Sequence, residues 1–200
     1  MNPIDQIATF FRVVGAMSNP STASFIAIFR LEGAFEMALT VAALAGLSEA
    51  AGESVVLFVN RVRFRRFVFS LLISAVIFVF TYLFFALSIS FVARYAFGSD
   101  VELRSVAIVV GLSYAPRLLG FLAFLPYFGV PLSGALNLWT VLVMMSSVAW
   151  ALALSPAEAL VSILLGGLLL FTLQRSVGRP VTALTRWMMR RVAGVPLVTD

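Results

Sequence analysis

The residue set deepest in an apolar run is Arg117, in the stretch Gly111-Leu112-Ser113-Tyr114-Ala115-Pro116-Arg117. At the centre of a membrane span an arginine costs about 2.5–3.5 kcal/mol on insertion scales unless it is paired or wet. Its natural partners are Glu49 and Glu53, four residues apart and therefore on one helical face. Like charges at that spacing repel, and at low dielectric one carboxyl takes up a proton unless an arginine neutralises the pair. Three readings of this set stay open. Arg117, Tyr114, Glu49 and Glu53 form a polar site for a carboxylate, a lipid phosphate or an anionic solute. Or Arg117 pairs with Glu49 or Glu53 simply to hold two helices together. Or the helix breaks at Pro116 and Arg117 reaches for a headgroup, while the glutamates, Glu53 more than Glu49, sit solvated near Arg61 and Arg65.

Other chemistry is scarce. Histidine and cysteine are absent, and all 14 cationic residues are arginine, so the commonest general bases and several nucleophiles are missing. No G-x-S-x-G, Ser-Lys or Walker arrangement occurs, and the carboxylates are too scattered for a metal cluster. The expectation is a non-enzymatic protein with neither cofactor nor metal.

The elements that must position these residues are membrane helices. Of the 200 residues 62% are hydrophobic and only 12% charged, too few charges to cover a water-facing surface. A span takes about 20 mostly apolar residues. Residues 67–93 carry no charge, and 105–125, 132–154 and 157–173 follow as further spans, with a proline-bounded turn at 126–131. Pro116 is expected to kink the second of these by removing a backbone hydrogen bond. Residues 34–59 are long enough for a fifth span but hold Glu36, Glu49 and Glu53. Ala38, Ala42, Gly46, Ala50 and Ser54 give that segment a small-residue ridge for close helix packing, so it either spans or re-enters. Ala107, Gly111 and Ala115 form a second small face, and Gly166-Gly167 reads as helix packing. The fold class is all-α: a polytopic bundle with four clear spans, a fifth marginal or re-entrant helix, and amphipathic helices at both termini.

The arginines orient it. Arg61, Arg63, Arg65 and Arg66 precede the first strong span, and Arg175, Arg179, Arg186, Arg190 and Arg191 follow the last. Four crossings separate the clusters, which puts both on the cytoplasmic side under the positive-inside rule. The N-terminus is then inside if 34–59 re-enters and outside if it spans. Asp5 and Arg12 argue against a secretory leader. Region 1–33 instead reads as interfacial, with Ile4, Ile7, Phe11 and Val14 on one face of a first helix. At the other end, in the arginine-rich tail 174–200, Pro180 is expected to open a helix that lies in the interface. Arg186, Arg190 and Arg191, with the 61–66 cluster, either fix topology alone or also bind anionic headgroups. Nucleic acid is not an expected partner, because no stacking aromatics interleave these arginines.

From residue 111 onward the chain resembles the Yip1 domain family of small polytopic membrane proteins. The likeness rests on Ser113-Tyr114-Ala115-Pro116, on Leu125-Pro126 with Gly129, on Trp139 in the next span, and on Leu154-Ser155 with Ala157 and Ala159. It covers residues 111–173 and implies a bundle of roughly five membrane helices. Trafficking members of that family bind small GTPases, but their acidic-tyrosine-glycine-proline motif has no counterpart here, and only the bundle carries over. The expectation is a protein of a prokaryotic cytoplasmic membrane, C-terminus inside. It would organise or assist other membrane components, associate with them or with itself, or take part in trafficking or lipid organisation. The rival is a small transporter or channel with a polar route past Arg117 and Glu49/Glu53. A third option is a lipid-handling role.

Overall fold

The computed structural model describes residues 3–18, 22–29, 31–58, 64–125 and 127–193, and everything regular among them is helical. In chain order these are α1 (Pro3–Ser18), α2 (Thr22–Phe29), α3 (Ala34–Phe58), α4 (Phe64–Phe97), α5 (Leu103–Leu112), a 3₁₀ segment (Ala115–Phe124), α6 (Gly129–Ala151) and α7 (Pro156–Ala193). Five stretches are long and apolar enough to cross a membrane: Ala34–Gly52, Leu71–Phe97, Leu103–Phe124, Gly129–Ala151 and Pro156–Arg175. The segment expected either to span or to re-enter is one unbroken helix, α3, without the reversal that re-entry requires.

α5 lies at the centre. Every residue from Val106 to Leu112 is buried, which is the state of a helix that is apolar all round. Its small residues Ala107 and Gly111 are buried, as is Ala115 just beyond it, and a Cβ on Gly111 would stand 2.9 Å from that of Ala38. The ridge of α3 serves the same purpose. Ala38 and Ala42 are fully buried, and a Cβ on Gly46 would collide with Phe78 of α4. Gly166 seats α7 against Ile89. These small residues are thus consumed inside one chain. The outer surface reverses the pattern: α4 turns Leu72, Val76, Ile77, Phe80, Phe84 and Phe91 outward. An outward apolar face of this size suits lipid, not water.

α1 packs on the bundle, burying Val13 and Met17 with Ile28, Ala38, Val41 and Leu112. Ile7 and Phe11, expected on the apolar face of an interfacial helix, point outward. Gly33 turns the chain into α3 in the left-handed region (φ 86°).

Three boundaries correct the sequence reading. Pro116 does not kink a continuous helix. α5 stops at Leu112, Ser113-Tyr114 turn, and Pro116 sits in the first turn of the 3₁₀ segment, where its missing N–H leaves nothing unbonded. The turn expected at 126–131 is shorter, because α6 begins at Gly129 and Pro131 fits within its first turn. Gly129 there lies against the Ala123 carbonyl, too close for a Cβ. Finally, Pro180 opens no new helix, since α7 runs unbroken from Pro156 to Ala193. A mid-helix proline forfeits one hydrogen bond, which the continuing helix tolerates here.

Buried hydroxyls are mostly satisfied within their own helix. Ser113, Thr140 and Ser147 each donate to the carbonyl four residues back, at 2.6, 2.8 and 2.7 Å. Tyr82 is an exception: it is fully buried and its hydroxyl has no partner among the described residues. An orphaned buried hydroxyl costs about 1–3 kcal/mol. Tyr82→Phe should therefore leave thermal stability unchanged or raise it, because the ring keeps its edge contact with Tyr114 at 6.4 Å. A clear fall in melting temperature would show that the hydroxyl has a structural partner.

Candidate functional site

The site begins with a problem of backbone geometry. A ten-residue 3₁₀ segment is long for its type, and its hydrogen bonds are poorer than those of an α-helix. α3 supports it from the side, running parallel and in close contact. Ser48 Oγ donates to the Leu118 carbonyl at 2.8 Å and accepts from the Phe121 N–H at 2.9 Å. Those two groups would bond each other in an ideal 3₁₀ turn, so Ser48 is inserted as a bridge in the ladder. Glycine makes the approach possible. A Cβ on Gly52 would lie 2.6 Å from the Gly120 carbonyl oxygen, and one on Gly120 would lie 3.3 Å from Glu49 Cα.

This seam places Glu49 beside Arg117. Arg117 Nη1 donates to Glu49 Oε2 at 2.9 Å, and Nη2 donates to Asn137 Oδ1 of α6 at 2.6 Å. The guanidinium carbon lies 5.6 Å from the centre of the Tyr114 ring, within cation–π range. One charge is thus met by α3, by α6 and by the turn preceding its own segment. Arg117 Nε is buried and has no partner among the described residues. The helix breaks ahead of Pro116, at Ser113-Tyr114, and Arg117 turns toward α3 and α6.

The pair is enclosed but not sealed. The Arg117 and Glu49 side chains keep 24% and 36% of their exposure. A cavity of about 160 Å³ adjoins them, lined by Glu49, Arg117, Ser133 and Asn137 over Gly120 and Leu136. That holds on the order of five waters, and it is well below the roughly 300 Å³ at which ligand pockets begin. Counting residues from the nearer helix ends, Glu49, Arg117 and Asn137 each lie about 12–14 Å inside. Those ends lie on the side of the 58–64 connection.

Of the expected site residues, Arg117, Tyr114 and Glu49 come together and Pro116 shapes their backbone. The Glu53 side chain lies outside the described residues, as do Arg61 and Arg63 altogether and the side chains of Arg65, Arg66, Arg186, Arg190 and Arg191. Asn137, Ser48 and Ser133 were not foreseen. The signal for Asn137 was available: it is the sole amide, with no charge beside it, in α6, and polar residues in spans commonly bond across helices. Ser155 and Glu158 carried another readable signal, S-x-x-E. Glu158 Oε2 accepts from the Ser155 N–H and hydroxyl, both at 2.8 Å, and caps α7. Among the described residues no group of three His, Cys, Asp or Glu could hold a metal ion. No protein-family model, curated protein or solved structure matches the chain.

Proposed function

We propose that the chain is a multi-pass integral membrane protein with a Yip1-like bundle, organising or assisting other membrane components without catalysing a reaction. The observation that supports this is the closure of Arg117 by Glu49 and Asn137. A transport site must offer its charge to a solute. Here the charge is spent on joining three elements, and the space beside it admits only a few waters. Purified protein in liposomes should therefore pass small anions and cations no faster than empty liposomes do. Robust flux abolished by Arg117→Ala would favour the transporter instead.

In this reading all five apolar stretches span, the arginine clusters face the cytoplasm of a prokaryotic cell, and the N-terminus lies outside. The natural absence of cysteine makes the topology directly testable. In intact cells an impermeant maleimide should label Asn2→Cys. It should reach Asn60→Cys and Thr199→Cys only after permeabilisation. Protection of Asn2→Cys in intact cells would remove the fifth span.

A further inference from the structure

On the side of the bundle away from the 58–64 connection, a trough runs along α4 beside the start of α5. Its deeper part, about 590 Å³, is walled by Phe80, Leu83, Phe84, Leu87 and Ala107. Its upper part, about 430 Å³, continues past Leu87 to Phe91, Arg94 and Tyr95. The two share Leu87, Glu102 and Leu103, so they form one depression. From Phe80 to Tyr95 it covers about 22 Å of helix, roughly three quarters of a hydrocarbon core about 30 Å thick. Polarity changes along this length. The deep end is aliphatic and aromatic, whereas the mouth carries Glu102 and Arg104, two residues apart. Arg94 at the mouth is already paired with Asp100 at 2.5 Å. Glu102 and Arg104 are exposed and take part in no ion pair among the described residues.

We infer that this trough binds one zwitterionic glycerophospholipid with a primary ammonium in its headgroup, from the leaflet opposite the Arg61–Arg66 cluster. An acyl chain lies in the deep part, against Phe80, Leu83 and Phe84. The phosphodiester accepts from the Arg104 guanidinium, and the ammonium donates to the Glu102 carboxylate. Charge complementarity selects this occupant. One free cation and one free anion at the mouth match a headgroup that carries both signs. An anionic lipid would satisfy Arg104 and leave its headgroup facing Glu102.

The test is full-length protein reconstituted in nanodiscs of equal phosphatidylethanolamine and phosphatidylglycerol, released into mild detergent and weighed by native mass spectrometry. One phosphatidylethanolamine per chain should be retained in preference to phosphatidylglycerol. Arg104→Gln and Glu102→Gln should each reduce that retention about tenfold, the factor carried by a single charge-assisted hydrogen bond. Arg104→Lys should restore most of it. Leu87→Trp, at a position exposed at the trough's waist, should abolish retention with the mouth intact. Equal retention of both lipids overturns the assignment. So does retention unaffected by Glu102→Gln, or retention that only Leu87→Trp reduces, since either means that the chains are held without recognition of the headgroup.

Discussion

Reversing the charge at Arg117 or at Glu49 alone should be among the most destabilising changes in the chain, and reversing both should recover much of the loss. Arg117→Glu places two carboxylates where an ion pair of 2.9 Å stood, and Glu49→Arg does the same with two guanidinium groups. Breaking a buried pair by removing one partner costs about 3–5 kcal/mol. With 24% and 36% of their exposure retained, these side chains should fall at or below the bottom of that range, at about 2–3 kcal/mol each. The double swap restores opposite charges across the same seam. Asn137 can serve either sign, because its amide offers the carbonyl oxygen to an arginine or the NH₂ to a carboxylate. Recovery should still be incomplete, since Tyr114 favours a cation over its ring face. Thermal unfolding of the four proteins in one detergent closes the cycle. A double variant no more stable than the worse single one would mean that the contact contributes nothing.

What made this pair legible was cost. A charge in the middle of an apolar run demands a partner, and few carboxylates in the chain lay on a helix able to reach it. The small-residue ridges of α3 and α5 were legible for a related reason: spacing of four marks a face, and small side chains mark close approach. Less visible was the 3₁₀ segment. Nothing in Ala115–Phe124 distinguishes it from α-helix except Pro116 and Gly120. It depends on Ser48, which is 70 residues away from Leu118 in sequence. A serine that bonds across a seam looks, in sequence, like the serines that bond back four residues. Pro180 misled in the opposite sense, because the rule that proline starts or stops a helix is a tendency that a long helix can override. Ile7 and Phe11, which turn outward, show what the pattern leaves open. Periodicity identifies an apolar face but not whether lipid or protein covers it.

Gly52→Ala should be a strongly destabilising single-methyl change, and its effect should pass through the polar site. The added Cβ would lie 2.6 Å from the Gly120 carbonyl oxygen and 3.2 Å from the Ala123 Cβ. The first obstacle is backbone, which cannot rotate away as a side chain can. Overpacking of this kind costs about 1–3 kcal/mol, against which alanine regains only about 0.5–1 kcal/mol of helix preference over glycine. Gly134→Ala supplies the control. It lies within α6 with nothing within 4 Å of the new methyl, so it should be neutral or stabilising by up to that smaller amount. The two glycines then separate helix propensity from packing. If α3 must move off the 3₁₀ segment to admit the methyl, the Ser48 bridge and the Glu49–Arg117 contact loosen together. Gly52→Ala should accordingly cost less in a Glu49→Ala background than alone, a coupling of about 0.5–3 kcal/mol between residues that share a seam. Strict additivity would show that the glycine contact and the ion pair are independent, and that the seam is not what holds Arg117 in place.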